Sequence, residues 1–226
     1  ADFEEPEDEG EADFQARAAF QFYLADLNDD VAVNVLDVVA VINDILGLED
    51  PPTPKALRST PIAIGLNAVY QDEEGRPMIP VTIGSDALIG GAEFTFDFDP
   101  ELMDLGDPVL TGHGTDMTVQ SANRDGRMHV LIYSATGARV PAGQGVILLV
   151  PVTLIDDSAV PTVTLVNVLL AGPQALPLPV NLENAAVRVL TIPDAYSLGG
   201  NAPNPFNPST SISYDVPEQA HMTLII

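Results

Sequence analysis

The chain of 226 residues has no cysteine, only three histidines, and only 8 Lys and Arg against 33 Asp and Glu. Without a thiol there is no disulfide framework, no thiolate metal site and no cysteine nucleophile. A formal net charge of −25 leaves no basic footprint of the kind that nucleic acid or an anionic membrane requires, so neither is expected as a partner and cations are. No apolar run reaches membrane-spanning length, so no membrane insertion is expected. The longest run, "GVILLVPVTLI", is short and broken by Pro151. The opening "ADFEEPEDEGEAD" has neither the basic nor the apolar part of an export signal, so any such signal is expected to have been removed or never to have been there. The histidines, His113, His129 and His221, are scattered, with His113 expected in a flexible loop and His129 alternating within a strand. No nucleophile elbow, phosphate loop or zinc spacing is present. Glu73 and Glu74 are adjacent, and neighbours on a strand point to opposite faces, so they form no catalytic carboxylate pair. An enzyme is not expected.

What is present is enough to fold. Apolar residues make up 46% of the chain and charged residues 18%, which suits a packed core rather than a solvated acidic coil. Five zones separate on composition. Residues 1–13 carry eight acidic side chains and read as a tail, 14–49 hold an acidic loop followed by an apolar helix, and 50–60 are a proline-rich linker. Residues 61–191 read as a β domain. "IAIGLNAVY", "MIPVTIG", "AEFTFDFD", "MTVQSA", "RMHVLIYSA", "GVILLVPVTLI", "PTVTLVNVLL" and "AAVRVL" are short runs rich in β-branched and aromatic residues, punctuated by Gly, Pro, Asn and Asp. Eight or nine such strands predict a sandwich. "NRDG" at 123–126 fits a hairpin turn, because Asp-Gly tolerates positive φ. Residues 192–226 read as a linker and two strand-like runs, "SISYDV" and "HMTLII".

The acidic loop carries the most specific chemistry. Calcium takes six to eight oxygen ligands, which one chain supplies from alternate positions of a twelve-residue loop. In "ADLNDDVAVNVLD", Asp26, Asn28 and Asp30 fall at positions 1, 3 and 5, Ala32 offers its carbonyl at 7, and Asn34 and Asp37 stand at 9 and 12. These six are the expected Ca²⁺ ligands. Position 6, normally glycine, is Val31, a β-branched residue that disfavours positive φ. The helix that follows is apolar almost all round, with a stripe of Val38, Val41, Ile42 and Ile45 expected to bury itself against a β surface.

The segment "DLNDDVAVNVLDVVAVINDILG" resembles a single repeat of a dockerin, the calcium-binding half-module of cellulosome-type assembly. "IGGAEFTFDFDPELMDLGDPVLTG", with the following valine-rich strands, resembles a cohesin-like domain, which implies a jelly-roll sandwich that recognises dockerins or serves as a surface scaffold. "NAPNPFNPSTSISYDV" resembles the start of the immunoglobulin-like C-terminal sorting domain of type IX-secreted bacterial proteins, which implies an extracellular or cell-surface product. The expected fold is therefore mainly β: a jelly-roll (cohesin-like) β-sandwich with a short N-terminal calcium-loop and helix module and a C-terminal β-strand arm. The expected function is that of a calcium-stabilised structural protein that polymerises with itself through helix docking and strand addition. The arm would then pair with a neighbouring subunit. The alternative is a cohesin-like binding module for a separate dockerin-bearing or polysaccharide partner.

Overall fold

The computed structural model describes residues 25–28, 30–48, 60–155, 160–190, 196–205, 207–216 and 221–223. Among the described residues the helix α1 (Val35–Leu46) precedes β1 (Ile62–Leu66), β2 (Tyr70–Gln71), β3 (Pro77–Ser85), β4 (Gly91–Asp97), β5 (Met103–Leu105) and β6 (Val109–Leu110). A 3-10 turn at Gly112–Gly114 leads to β7 (Thr118–Arg124), β8 (Arg127–Tyr133), β9 (Gly143–Leu154), β10 (Thr162–Ala171), β11 (Pro177–Leu178), β12 (Val180–Asn184) and β13 (Ala186–Arg188). A hairpin of β14 (Ser197–Ala202) and β15 (Ser211–Asp215) follows. The fold is mainly β and its body is a sandwich.

The first sheet runs β12-β1-β3-β9-β5, with β2 on β3 and β6 on β9; the second runs β11-β10-β4-β8-β7, with β13 on β10. Side-chain alternation explains why these segments face each other. In β4, Ala92, Phe94 and Phe96 are fully buried, and in β8 so are Met128, Val130 and Ile132, while Arg127 and His129, on either side of Met128, remain exposed. They meet Ile62, Ile64, Ile79, Val81, Ile147 and Val150 of the first sheet in one core. Each fully buried side chain of this size contributes roughly 1.5–3 kcal/mol. The rings of Phe94 and Phe96 pack tilted at 32°, centroids 6.3 Å apart. Asp125 and Gly126 take φ of 51° and 77° between paired Arg124 and Arg127, so the expected Asp-Gly turn closes the β7–β8 hairpin. The first and last strands of the seven-stranded sheet, β1 and β12, are parallel neighbours, Ile62 beside Val180 and Ile64 beside Leu182.

Two expectations need correction. His113 is not in a flexible loop: it lies in the 3-10 turn, its Nε2 2.9 Å from the Gln144 carbonyl oxygen, and its ring occupies the space that side chains at Gly143 and Gly145 would fill. Part of the stretch expected as linker is also a strand. "SISYDV" supplies β15, whose partner is β14, from the "SLGGNA" stretch expected as linker. Pairing begins between Ser197 and Asp215, whose side chains are also hydrogen-bonded. Of the second expected strand, residues 221–223 lie in no strand, and 224–226 lie outside the described residues, as do the acidic tail and most of the linker at 50–60.

Candidate functional site

The loop before α1 is organised by its own side chains. Asp26 accepts the Asp30 amide on Oδ1 at 3.1 Å and the Val31 amide on Oδ2 at 2.9 Å. Asn28 Oδ1 also accepts the Asp30 amide at 3.1 Å, and Asp30 Oδ1 accepts the Ala32 amide at 2.9 Å. Such bonds from Asp and Asn to amides a few residues on are what folds a short polar segment into a turn. Asp37, only 2% exposed, joins the two ends: Oδ1 accepts the Leu27 amide at 2.8 Å and Oδ2 the Asn34 amide at 2.9 Å. Asn34 in return accepts the Leu36 amide at 2.8 Å, completing a capping box that starts the helix. Val31 sits at φ 67°, the left-handed conformation that glycine enters freely and a β-branched residue enters at a cost of roughly 1–2 kcal/mol.

Asp26, Asn28, Asp30, Ala32, Asn34 and Asp37 thus all lie on one closed loop. Oxygen donors of these types are what a hard cation takes, and each carboxylate keeps acceptor capacity beyond the amides it binds, since its two oxygens offer about four lone-pair sites. The carboxylates are nonetheless turned towards backbone amides. Among the described residues no three Asp, Glu, His or Cys side chains converge as a metal cluster. Helix capping alone accounts for Asn34 and Asp37; it gives no reason for Asp26, Asn28 and Asp30.

From this loop α1 runs onto the outer face of the second sheet. Val35, Leu36 and Val39 are 0%, 4% and 2% exposed and pack with Ala171, Leu131, Leu169 and Ala175. The helix does dock on a β surface, as expected, but through a different stripe. Val38, Val41 and Ile42 are only half-buried, and Ile45 is 74% exposed. The face is chosen by what the sheet offers. Gly91 lies directly under the helix, where a Cβ would come 2.7 Å from Val35 Cγ2 and 2.9 Å from Val39 Cγ2. At the far end Asn43 Nδ2 donates to the Pro173 carbonyl at 2.8 Å, and Arg139 donates to Asn43 Oδ1 at 2.9 Å. Burial pushes the Arg139 guanidinium below its ordinary pKa. Gly47, at φ 60°, ends the helix, with the Leu48 amide returning to the Asn43 carbonyl at 2.9 Å. Gly91, Leu131, Arg139 and Ala171 were not legible as site residues. The only hint was the Gly90-Gly91 pair opening a strand, where a missing side chain signals close approach of another element.

Beside the docked helix the sheet face continues into a groove of about 330 Å³ lined by Val33, Val38, Gln120, Ala122, His129 and Leu131. A wider cleft of about 740 Å³ lies over the β7–β8 turn. There Arg127 Nε and Nη2 meet Asp97 at 2.6 and 2.8 Å, and that bidentate contact holds the Asp97 carboxyl below the usual range. Thr95, beneath, lies 3.3 Å from His129 Nδ1. Glu73 and Glu74 occupy the β2–β3 turn, where Glu74 pairs with Arg76 at 2.6 Å. No helix among the described residues is long and apolar enough to cross a membrane.

No family model matches the sequence, and no curated protein matches it. Solved structures do. The chain is similar to the sixth cohesin of Acetivibrio cellulolyticus scaffoldin B, solved in complex with a Cel5 dockerin mutant, at 17% identity and a TM-score of 0.47, covering 57% of this chain and 99% of that one. It is similar to a non-cellulosomal cohesin from Archaeoglobus fulgidus at 13% identity and a TM-score of 0.47, covering 58% and 92%. The cohesin module of a Clostridium perfringens family 33 glycoside hydrolase gives 17% identity and a TM-score of 0.46, covering 57% and 96%.

Proposed function

We propose that the chain is a non-catalytic, calcium-stabilised binding module of an extracellular or cell-surface bacterial assembly, and that the outer face of its second sheet receives a dockerin-type helix. The observation that carries this reading is the seat of α1. A helix of dockerin-like sequence lies on β4, β8 and β10, over Gly91 and Ala171, with its end held by Arg139. Small side chains admit the helix close to the sheet, and a flat apolar patch rimmed by a few polar anchors is the usual anatomy of a protein-binding surface. Self-polymerisation through the C-terminal arm has less support: β14 and β15 pair with each other in a two-stranded sheet, and nothing among the described residues seats that hairpin on a sandwich.

In this reading Asp26, Asn28, Asp30, the Ala32 carbonyl, Asn34 and Asp37 hold one Ca²⁺, which would offset two of the three negative charges of Asp26, Asp30 and Asp37 and fix the first turn of the helix. The ligand spacing and the left-handed turn at Val31 support it. The test is calorimetry of purified two-repeat dockerin modules against the full chain and against Val39→Asp, whose own helix no longer covers the face. Binding by Val39→Asp at 1:1, weaker in the wild type, is expected. No heat with either protein overturns the reading.

A further inference from the structure

The seat of α1 joins two parts of the chain that nothing else obliges to come from the same molecule. On the helix side it consists of Val35, Leu36, Val39 and Asn43; on the sheet side, of Gly91, Leu131, Ala171, the Pro173 carbonyl and Arg139. Between the two sides in sequence run residues 49–59, "EDPPTPKALRS", with three prolines. Eleven residues of any sequence span at most roughly 36–40 Å, whereas a sandwich of this size has a radius of gyration of only about 14 Å. The tether is long enough to lay the helix on its own sandwich or on an adjacent one.

From this we infer that the helix is exchangeable: α1 of one copy seats on the β4-β8-β10 face of a second copy, through the same side chains that seat it within one chain. The two surfaces differ, so the contact is heterologous. Reciprocal exchange closes a dimer, and exchange in one direction continues from copy to copy. The patch suits such traffic. It is apolar apart from the Asn43 and Arg139 anchors, in a chain whose formal net charge is −25, so the long-range repulsion between copies is screened by salt while the contact itself is not weakened by it. Within one chain the tether gives the helix an effective concentration on the order of millimolar. Exchange therefore dominates where copies are crowded or where the internal seat is blocked, and the second condition can be built.

The inference goes beyond the binding reading, and its test contains no outside partner. Gly91→Val closes the face, because its side chain enters the space of Val35 and Val39, and leaves the helix intact. Val39→Asp spoils the helix and leaves the face intact. Leu131→Glu, a substitution on the outward side of β8, replaces Gly91→Val if the latter disturbs the strand. Each variant alone is expected to sediment as a monomer with the sandwich still folded. An equimolar mixture at physiological salt is expected to give a 1:1 complex, detected by light scattering, which a third component carrying Val39→Asp together with Leu131→Glu does not join. Folded variants that stay monomeric on mixing overturn the inference, and so does a complex that forms equally well with the doubly substituted chain.

Discussion

The helix α1 and the hairpin β14–β15 are both small appendages that carry apolar side chains and cannot bury them alone, yet they stand very differently against the sandwich. In α1, Val35, Leu36 and Val39 are all but inaccessible; in and beside the hairpin, Tyr196, Leu198 and Tyr214 are 51%, 66% and 57% exposed. The difference is not hydrophobicity. The helix finds a face prepared for it, with a glycine beneath its axis, an alanine beside it and an arginine at its end. The two-stranded hairpin satisfies its inner backbone bonds through its own pairing, and a hairpin of two strands is marginal in water on its own. An appendage docks where the host surface has been cut to its shape.

The sharpest way to break this contrast is Val39→Asp. It removes a side chain whose burial contributes roughly 1.5–3 kcal/mol and forces the helix off, because an unpaired carboxylate is not tolerated under it. A loss of about 3 kcal/mol or more in helix stability is expected, read as the collapse of hydrogen-exchange protection over residues 38–46 with the sandwich amides unchanged. Retained protection would mean that the seat is incidental. Calcium comes next. Binding to the folded state alone adds about 2.7 kcal/mol at a hundredfold excess over the dissociation constant, so the melting temperature is expected to fall on chelation, and Asp26→Ala to be insensitive to it. A wild-type melt unchanged by chelator removes calcium from the account.

Smaller, and of opposite sign, is Val31→Gly. Val31 is 79% exposed and loses little contact, while relief of its left-handed backbone is expected to stabilise the loop by about 1 kcal/mol. A drop in stability would show that the valine side chain is covered by a partner. The smallest effect is expected at Leu198→Asp in the hairpin, within about 0.5 kcal/mol of wild type by denaturant unfolding, as for other exposed positions. A large loss there would erase the contrast by showing that the hairpin is seated too.

The same contrast explains what could be read in advance. Strand β4 announces itself because Phe94 and Phe96 alternate with Thr95 and Asp97, and a period of two has only one solution; β8 does so through the Arg127-Met128-His129-Val130 alternation. The face of α1 did not, because a helix apolar nearly all round offers several stripes of equal merit. The choice of Val35-Leu36-Val39 over Val38-Val41-Ile42-Ile45 was made by Gly91 and Arg139, far away in sequence. Strand β12, "VNLEN", is polar and mostly exposed, and β14, "SLGGNA", contains two glycines; both exist through pairing with a partner strand rather than through any pattern of their own. The loop residues were legible as a set because side chains that bond to nearby amides act within a few residues, where spacing is the whole signal.

The parallel pairing of β1 with β12 has a mechanical consequence. The chain enters the sandwich at Ile62 and reaches the end of β12 at Asn184, with Ile62 to Ile64 in register with Val180 to Leu182 and the Ile62 amide bonded to the Pro179 carbonyl at 2.8 Å. Tension applied through the two flanks of the domain reaches β1 directly and β12 only through β13, which is held antiparallel on β10; once past β13 it pulls β1 back past its starting end and β12 forward past its finishing end, along the strands and in opposite directions. The interstrand bonds run across that line, so they share the load and must yield together, instead of opening one after another like the teeth of a zip.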